Sequence, residues 1–144
     1  FEKLKSFLGD IGEGSRIMVP FVCDRGNKIH LGKNVFINYN FTALDMDDIY
    51  IGDNVRIAPN VAIYTVWHPL DHEVRNARKC YTDQVYIGDD AWICGNVTIL
   101  PGVKIGKRTV IGAGSVVTSD IPDDVLAYGN PCRVIRKIGG KDDE

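Results

Sequence analysis

Residues 87–117 read IGDDAWICGNVTILPGVKIGKRTVIGAGSVV, and an aliphatic residue returns there at every sixth position: Ile87, Ile93, Ile99, Ile105, Ile111 and Val117. The same spacing runs through Ile51, Ile57 and Ile63, in phase with the later set because Ile51 and Ile87 stand 36 residues apart, six hexads. Four places after most of them comes a small or β-branched residue: Val55, Val61, Ala91, Val97, Val103, Thr109 or Ser115. Glycine often follows the aliphatic directly, as in IGDN at 51–54, IGDD at 87–90, IGKR at 105–108 and IGAG at 111–114. A weaker register, Leu31, Ile37 and Ala43, precedes Ile51 and is offset from it by two extra residues.

A period of six fits neither an α-helix, whose apolar stripe recurs at about 3.6, nor hairpin sheets, whose turns come roughly every 8 to 12 residues. It fits a solenoid of very short strands. Each hexad makes one flat face ending in a turn, three hexads close a triangular coil, and the aliphatic of every face points inward. Stacked coils bury a continuous core that no single coil could bury. The glycines after the aliphatics are expected to supply corners with φ > 0. Coincidental spacing in an antiparallel sandwich is set aside, because nine aliphatics share one phase.

At 144 residues, 44% hydrophobic, with 17 basic against 19 acidic side chains, the composition suits one folded domain with its own core. No stretch approaches the roughly 18 consecutive apolar residues of a membrane span. The opening FEKLKSFLGD also lacks the apolar segment of a signal peptide. Membrane association is therefore not expected. Interspersed charges with a slight negative excess leave no footprint for binding nucleic-acid phosphates. Cys23, Cys80, Cys94 and Cys132 are widely spaced, without a C-x-x-C pair, which suits reduced thiols in a cytoplasm. No P-loop and no G-x-G-x-x-G fingerprint is present, which sets aside NTPases and dehydrogenases. The sequence opens on Phe1 rather than methionine, so the natural chain is expected to begin upstream.

Within a single domain spanning 1–144, the pattern divides into an entry segment 1–28, a β-helix 29–122 with a loop at 64–85, and a C-terminal segment 123–144. The entry reads as a short helix, roughly Glu2 to Leu8, followed by an irregular stretch. The exit reads as a turn at Asp123–Asp124, the segment AYGNPCRVIRKI and a frayed tail. The loop, YTVWHPLDHEVRNARKCYTDQV, carries His68, His72 and the charges Asp71, Glu73, Arg75, Arg78 and Lys79. Long irregular excursions from a regular scaffold are where function concentrates.

Four segments carry a more specific signal: IGDNVRIAPNV, HPLDHEVRN, PGVKIGKRTVIGAGSVVTSDIP and GNPCRVIRKI. Over about residues 10–138 the chain resembles the maltose and galactoside O-acetyltransferase family of hexapeptide-repeat acyltransferases. The hexads are shared by many acyltransferases; the H-P at 68–69 and the G-N-P-x-R-V-I-R at 129–136 narrow the resemblance to the sugar and xenobiotic branch. It implies a left-handed parallel β-helix, a handedness opposite to the right-handed crossovers that general physics favours. It also implies a homotrimer in which His68 of one subunit meets the cofactor groove of the next, acetyl-CoA as donor, and no metal. Family members carry a helical segment ahead of this sequence's start that helps form the acceptor pocket. This chain is thus expected to be a fragment, or a shorter homologue with a different acceptor.

Acetyl transfer from a thioester to a hydroxyl needs a base for the hydroxyl proton, and imidazole titrates near working pH. The resemblance gives that role to His68, which otherwise reads as a loop histidine stiffened by Pro69; His72 reads as a solvated loop histidine. Asn38 and Asn40 match the acceptor-side asparagines, although asparagine also favours corners. Asp45 follows the acceptor-side pattern, with Met46 in place of a second acid. Trp67 stands where a small residue is common, and its indole either reshapes the pocket or offers a stacking face to a sugar. On the cofactor side, Trp92 matches the acetyl-pantetheine end and the backbone at Gly95 the oxyanion contact. Ala113, Thr118 and Ser119 match the pantetheine channel. Arg133, Arg136 and Lys137 match the phosphate contacts, or form a solvated basic tail. Cys80 as an acyl nucleophile lacks a base placed beside it.

The expected chemistry is direct acetyl transfer to a sugar or related hydroxyl in a ternary complex. Alternatives are a xenobiotic acceptor, a non-catalytic trimeric scaffold, and a γ-carbonic-anhydrase-like zinc enzyme using the chain's three histidines.

Overall fold

Only two or three residues of a hexad run straight before the next corner, so the strands are very short. The computed structural model describes residues 1–140 and 143. After a helix, α1 (Glu2–Phe7), the first coil comprises β1 (Asp10–Ile11), β2 (Arg16–Ile17) and β3 (Phe21–Cys23). The second has β4 (Ile29–Leu31), β5 (Phe36–Ile37) and β6 (Phe41–Leu44), and the third β7 (Ile49–Ile51), β8 (Arg56–Ile57) and β9 (Ala62–Tyr64). An excursion holds β10 (Val66–Trp67), α2 (His72–Asn76) and β11 (Tyr81–Thr82). The fourth coil has β12 (Val85–Ile87), β13 (Trp92–Ile93) and β14 (Thr98–Ile99), and the fifth β15 (Lys104–Ile105), β16 (Val110–Ile111) and β17 (Val116–Val117). A partial sixth coil ends in β18 (Val125–Gly129), and β19 (Cys132–Lys137) folds back on it antiparallel.

Corresponding strands of successive coils pair in parallel, giving three sheets: A (β1, β4, β7, β12, β15), B (β2, β5, β8, β13, β16, β18, β19) and C (β3, β6, β9, β14, β17). The expected all-β parallel solenoid of hexapeptide repeats is the observed architecture. Its inward ladders are the sequence's aliphatics: Ile37, Ile57, Ile93 and Ile111 stack within sheet B at no more than 1% exposure. Burial of each such side chain contributes about 1.5–3 kcal/mol. Thr109 and Ser115 occupy inward positions beneath the incomplete last coil, where their hydroxyls accept from the backbone N–H groups of Val125 and Gly129.

Two expectations need correction. The solenoid begins at Asp10 rather than at residue 29. Ile11, Ile17 and Cys23 already stand six apart, but the step from Cys23 to Leu31 is eight, which hides the register. Helix α1 then caps the open end, with Leu8 buried and Leu4 packed on the core. The exit likewise continues sheet B through β18; positions 141, 142 and 144 of the expected tail lie outside the described residues.

The glycines after the aliphatics serve a different purpose from the one expected. A Cβ on Gly52 would lie 2.8 Å from the Asp89 nitrogen, and one on Gly88 2.7 Å from the Lys107 nitrogen. They permit close approach of the next coil. Left-handed backbone falls two residues later, at Asn34, Asn54, Asp90 and Arg108 on the A–B corner. A second set, Asn40, Asn60, Asn96 and Gly114, runs down the B–C corner. Asparagine and aspartate tolerate this region best among side-chain-bearing residues.

The C–A corner is the irregular one. Residues pair across the first coils at steps of 20, as in Ile17 with Ile37, and across the fourth and fifth at a step of 18, Ile93 with Ile111. The extra pair in each early coil sits at this corner, within 24–28 and 44–48. The step from Ile57 to Ile93 is 36, one coil plus an 18-residue insertion at the same corner. That length is a multiple of six, which is why the hexad phase survives the excursion. No described helix is long and apolar enough to cross a membrane.

If the inward ladder carries the fold, Ile93→Ala should cost about 2–5 kcal/mol in a urea titration. Tyr39→Ala, at an exposed corner, should stay within about 0.5 kcal/mol of the unaltered chain.

Candidate functional site

An insertion must leave the coil and return in register, and the chain achieves this with a short antiparallel ladder. Val66 pairs with Thr82 and Trp67 with Tyr81. Thr65 is fully buried at the root; its hydroxyl donates to the Leu44 carbonyl at 2.7 Å and accepts from the Asp47 N–H at 2.9 Å. The Asp83 N–H donates to the Thr65 carbonyl, and the Thr82 hydroxyl donates to the Asp47 carboxylate at 3.0 Å. His68 follows β10 directly. It is exposed and makes no hydrogen bond among the described residues. Beyond it, the Arg75 guanidinium donates to the carbonyls of Pro69 and Leu70, both at 3.1 Å, and Asp71 caps α2 through the N–H groups of Glu73 and Val74. The chain after His68 is therefore tied down.

The other candidate residues fall into separate groups. Asn38, Asn40, Gly95 and Ala113 lie along the B–C corner. The Asn38 carboxamide oxygen accepts from the Tyr39 N–H, and the Asn40 amide donates to the Asn60 side chain at 3.1 Å. The Gly95 carbonyl accepts from the Gly114 N–H of the next coil at 2.9 Å. Thr118 and Ser119 are exposed on the C–A corner, the edge from which the excursion leaves. Trp92, 52% exposed, and Arg136 share a groove of about 350 Å³ on the outer face of sheet B with Val110, Leu126, Ile138 and Asp143. There the Arg136 guanidinium pairs with Asp143 at 2.7 Å and holds that carboxyl below its usual range. Arg133, exposed on β19, donates to the Cys132 carbonyl. One chain thus gathers Trp67 with His68 and Trp92 with Arg136, but keeps the two pairs on different parts of the prism.

Asp45 is the candidate whose surroundings argue for a different role. It is fully buried, and its carboxylate accepts from the backbone N–H groups of Asp24, Arg25 and Lys28 at 2.8–3.2 Å. It pins the C–A corners of the first two coils together and presents no oxygen to solvent. Among the described residues no cluster of three or more His, Cys, Asp or Glu side chains is gathered for a metal. His30 has both ring nitrogens taken by carboxylates, Asp10 at 2.6 Å and Asp48 at 2.8 Å. Burial pushes the Cys94 and Cys132 thiols up, away from thiolate reactivity.

Comparison with known proteins places this geometry. The model of the bacterial transferase hexapeptide (six repeats) matches residues 84–119. The galactoside O-acetyltransferase of Lactococcus lactis is 45% identical over 142 residues, 98% of this chain and 69% of that protein. The chain belongs to the maltose and galactoside O-acetyltransferase family. A maltose O-acetyltransferase from Clostridium difficile superposes with a TM-score of 0.95 at 50% identity, over 96% of this chain and 74% of that one. A hexapeptide-repeat acetyltransferase from Vibrio cholerae, solved with acetyl coenzyme A, gives 0.93 at 41% identity, over 95% and 75%. The family's members are acyltransferase enzymes, and so is this one.

Reading the sequence alone misses the residues that hold this O-acetyltransferase family excursion in place: Thr65, Asp47, Thr82 and Arg75. The available signal is position: Thr65 stands two places after Ile63 and four after Val61, on the inward side, where a hydroxyl needs a partner. It also misses an outer ladder on sheet A, where His30 stacks on Tyr50 and Tyr50 on Tyr86, with centroids 4.6 and 4.9 Å apart. Asp48 receives the Gln84 amide at 3.5 Å, and its N–H donates to Asp47, which links His30 to the excursion's root. Partial burial pulls the His30 pKa down, but the hydrogen bonds to Asp48 and Asp10 outweigh it and the net direction is up. A raised folded-state value stabilises most below the unfolded value, near 6.5, and the contribution fades as pH climbs through the folded value. His30→Gln should therefore lower the melting temperature more at about pH 5.5 than at about pH 8.5, measured by differential scanning fluorimetry.

Proposed function

We propose that this chain transfers the acetyl group of acetyl-CoA to a hydroxyl of a sugar or related small molecule, with His68 as general base. The observation that carries the reading is His68 itself: an exposed imidazole without a partner among the described residues, at the mouth of an anchored hairpin, in a chain of this family. In the proposed step the imidazole takes the acceptor's hydroxyl proton while the oxygen attacks the thioester carbonyl. The C–O bond forms, negative charge moves to the former carbonyl oxygen, and backbone N–H groups near Gly95 stabilise it. Collapse breaks the C–S bond, and the imidazolium returns its proton to the departing thiolate. No covalent enzyme intermediate enters, which suits direct transfer in a ternary complex.

The donor fits the groove on sheet B. Trp92, Val110, Leu126 and Ile138 offer apolar wall for a pantetheine arm, and Arg136, on exchanging Asp143 for a phosphate, offers a bidentate cation. Arg133 and Lys137 lie on the same strand. Because this groove and His68 stand apart in one chain, we assign the working site to the seam between subunits of a homotrimer, His68 of one facing the groove of the next. Exposed Leu70 and Val74 on the excursion supply apolar surface for that seam. Four free thiols suit a reducing cytoplasm.

Mass spectrometry of acetylated products over a panel of sugars and xenobiotics, comparing the chain with His68→Ala, tests this. A sugar product formed about 10²- to 10⁴-fold more slowly by the variant, with acetyl-CoA binding unchanged, is the expected result. Unchanged rates would remove His68 as base; turnover confined to xenobiotics would change the acceptor class; no turnover and no acyl-CoA binding would leave a scaffold.

A further inference from the structure

Trp67 and Tyr81 stand directly opposite one another across β10 and β11, with ring centroids 5.6 Å apart and planes tilted by 33°. Neither is covered: the indole is 43% exposed and the phenol 47%. The two rings pack on each other across the strands, and their outer faces, left half in water, form a shallow apolar surface. Their strands are anchored to the solenoid. Thr82, beside Tyr81, is bonded to Asp47, and Asp83 to Thr65, so the pair is fixed relative to the C–A corner. Trp67 also immediately precedes His68.

We infer that Trp67 and Tyr81 form an aromatic platform that seats the acceptor's pyranose ring and sets the enzyme's preference among acceptors. The inference rests on the acetyltransferase reading above. A pyranose presents one face of C–H groups carrying slight positive charge, which packs against the electron-rich face of an aromatic ring. Its rim of hydroxyls stays free for hydrogen bonds. Trp67 ends the anchored strand from which the proposed base, His68, follows, so the platform and the base are carried by one fixed segment. Binding sites of this kind combine apolar and aromatic walls with a few polar groups that fix orientation. The platform acts on acceptor affinity and orientation; it takes no part in proton transfer.

The test is steady-state kinetics with methyl galactopyranoside and maltose as acceptors, on the full chain and on Trp67→Leu, Trp67→Phe and Tyr81→Leu. Leucine keeps apolar bulk but removes the aromatic face; phenylalanine keeps a face. The expected result is a KM for the pyranoside raised about tenfold in Trp67→Leu, a smaller rise in Tyr81→Leu, and recovery of most of the loss in Trp67→Phe. The KM for acetyl-CoA and the mass of the assembly in solution should stay as in the unaltered chain. Equal acceptor KM in Trp67→Leu and Trp67→Phe, or a fall in kcat with both KM values unchanged, would overturn the platform and leave the acetyltransferase reading standing. Loss of assembly in Trp67→Leu would assign the pair to subunit contact instead. An unaltered chain that acetylates neither pyranoside defeats the underlying reading, and the platform with it.

Discussion

Each inward aliphatic of a hexad stacks on its counterparts in the coils above and below, inside a core shared by all three faces. Ile93 lies between Ile57 and Ile111, and the stack continues to Ile37. The coils must therefore stay in register along three ladders at once, so backbones approach closely enough to exclude a Cβ at Gly52 and Gly88. Corners must turn within two or three residues. Asparagine and aspartate at left-handed positions do this on two of the three corners, and each bonds its N–H to the coil before it.

The third corner has slack. It absorbs two extra residues in each of the first two coils and 18 after the third, without disturbing a ladder. Buried polar groups make that tolerable. Asp45 collects three backbone N–H groups where coils one and two turn, and Thr65 bonds the neighbouring coil where the excursion departs. Asp47 and Asp48 then connect the root of the excursion to Thr82, Gln84 and His30. The loop that bears His68 is irregular in sequence yet anchored at both ends, a suitable base for a group that must meet a reacting atom.

The fold was legible because the hexad period repeats one physical requirement, burial, at every sixth residue. Coils with 20-residue spacing blur that period, which hides the first coil, with Ile11, Ile17 and Cys23. The role of the glycines is hidden for a related reason: sequence shows that a side chain is unwelcome, but not whether angle or space forbids it. At the site, His68, Trp67, Trp92 and Arg136 could be singled out from motifs. Asp45 could not be separated from them, since a carboxylate that caps three amides and one that awaits a substrate look alike until its neighbours are known. The pairing of Trp67 with Tyr81 depends on hairpin register across 14 residues, which no local pattern encodes.

Assigning the site to a seam between subunits means that no chain works alone, and mixing two disabled chains addresses this most directly. His68→Ala subunits retain the groove, and Trp92→Ala/Arg136→Ala subunits retain the base. Unfolded and reassembled together in equal amounts, they should regain about a quarter of the unaltered activity, because each mixed trimer holds one seam with both halves intact. Reassembled mixtures no more active than either variant alone, with mixed trimers shown to be present by native mass spectrometry, would contradict the account.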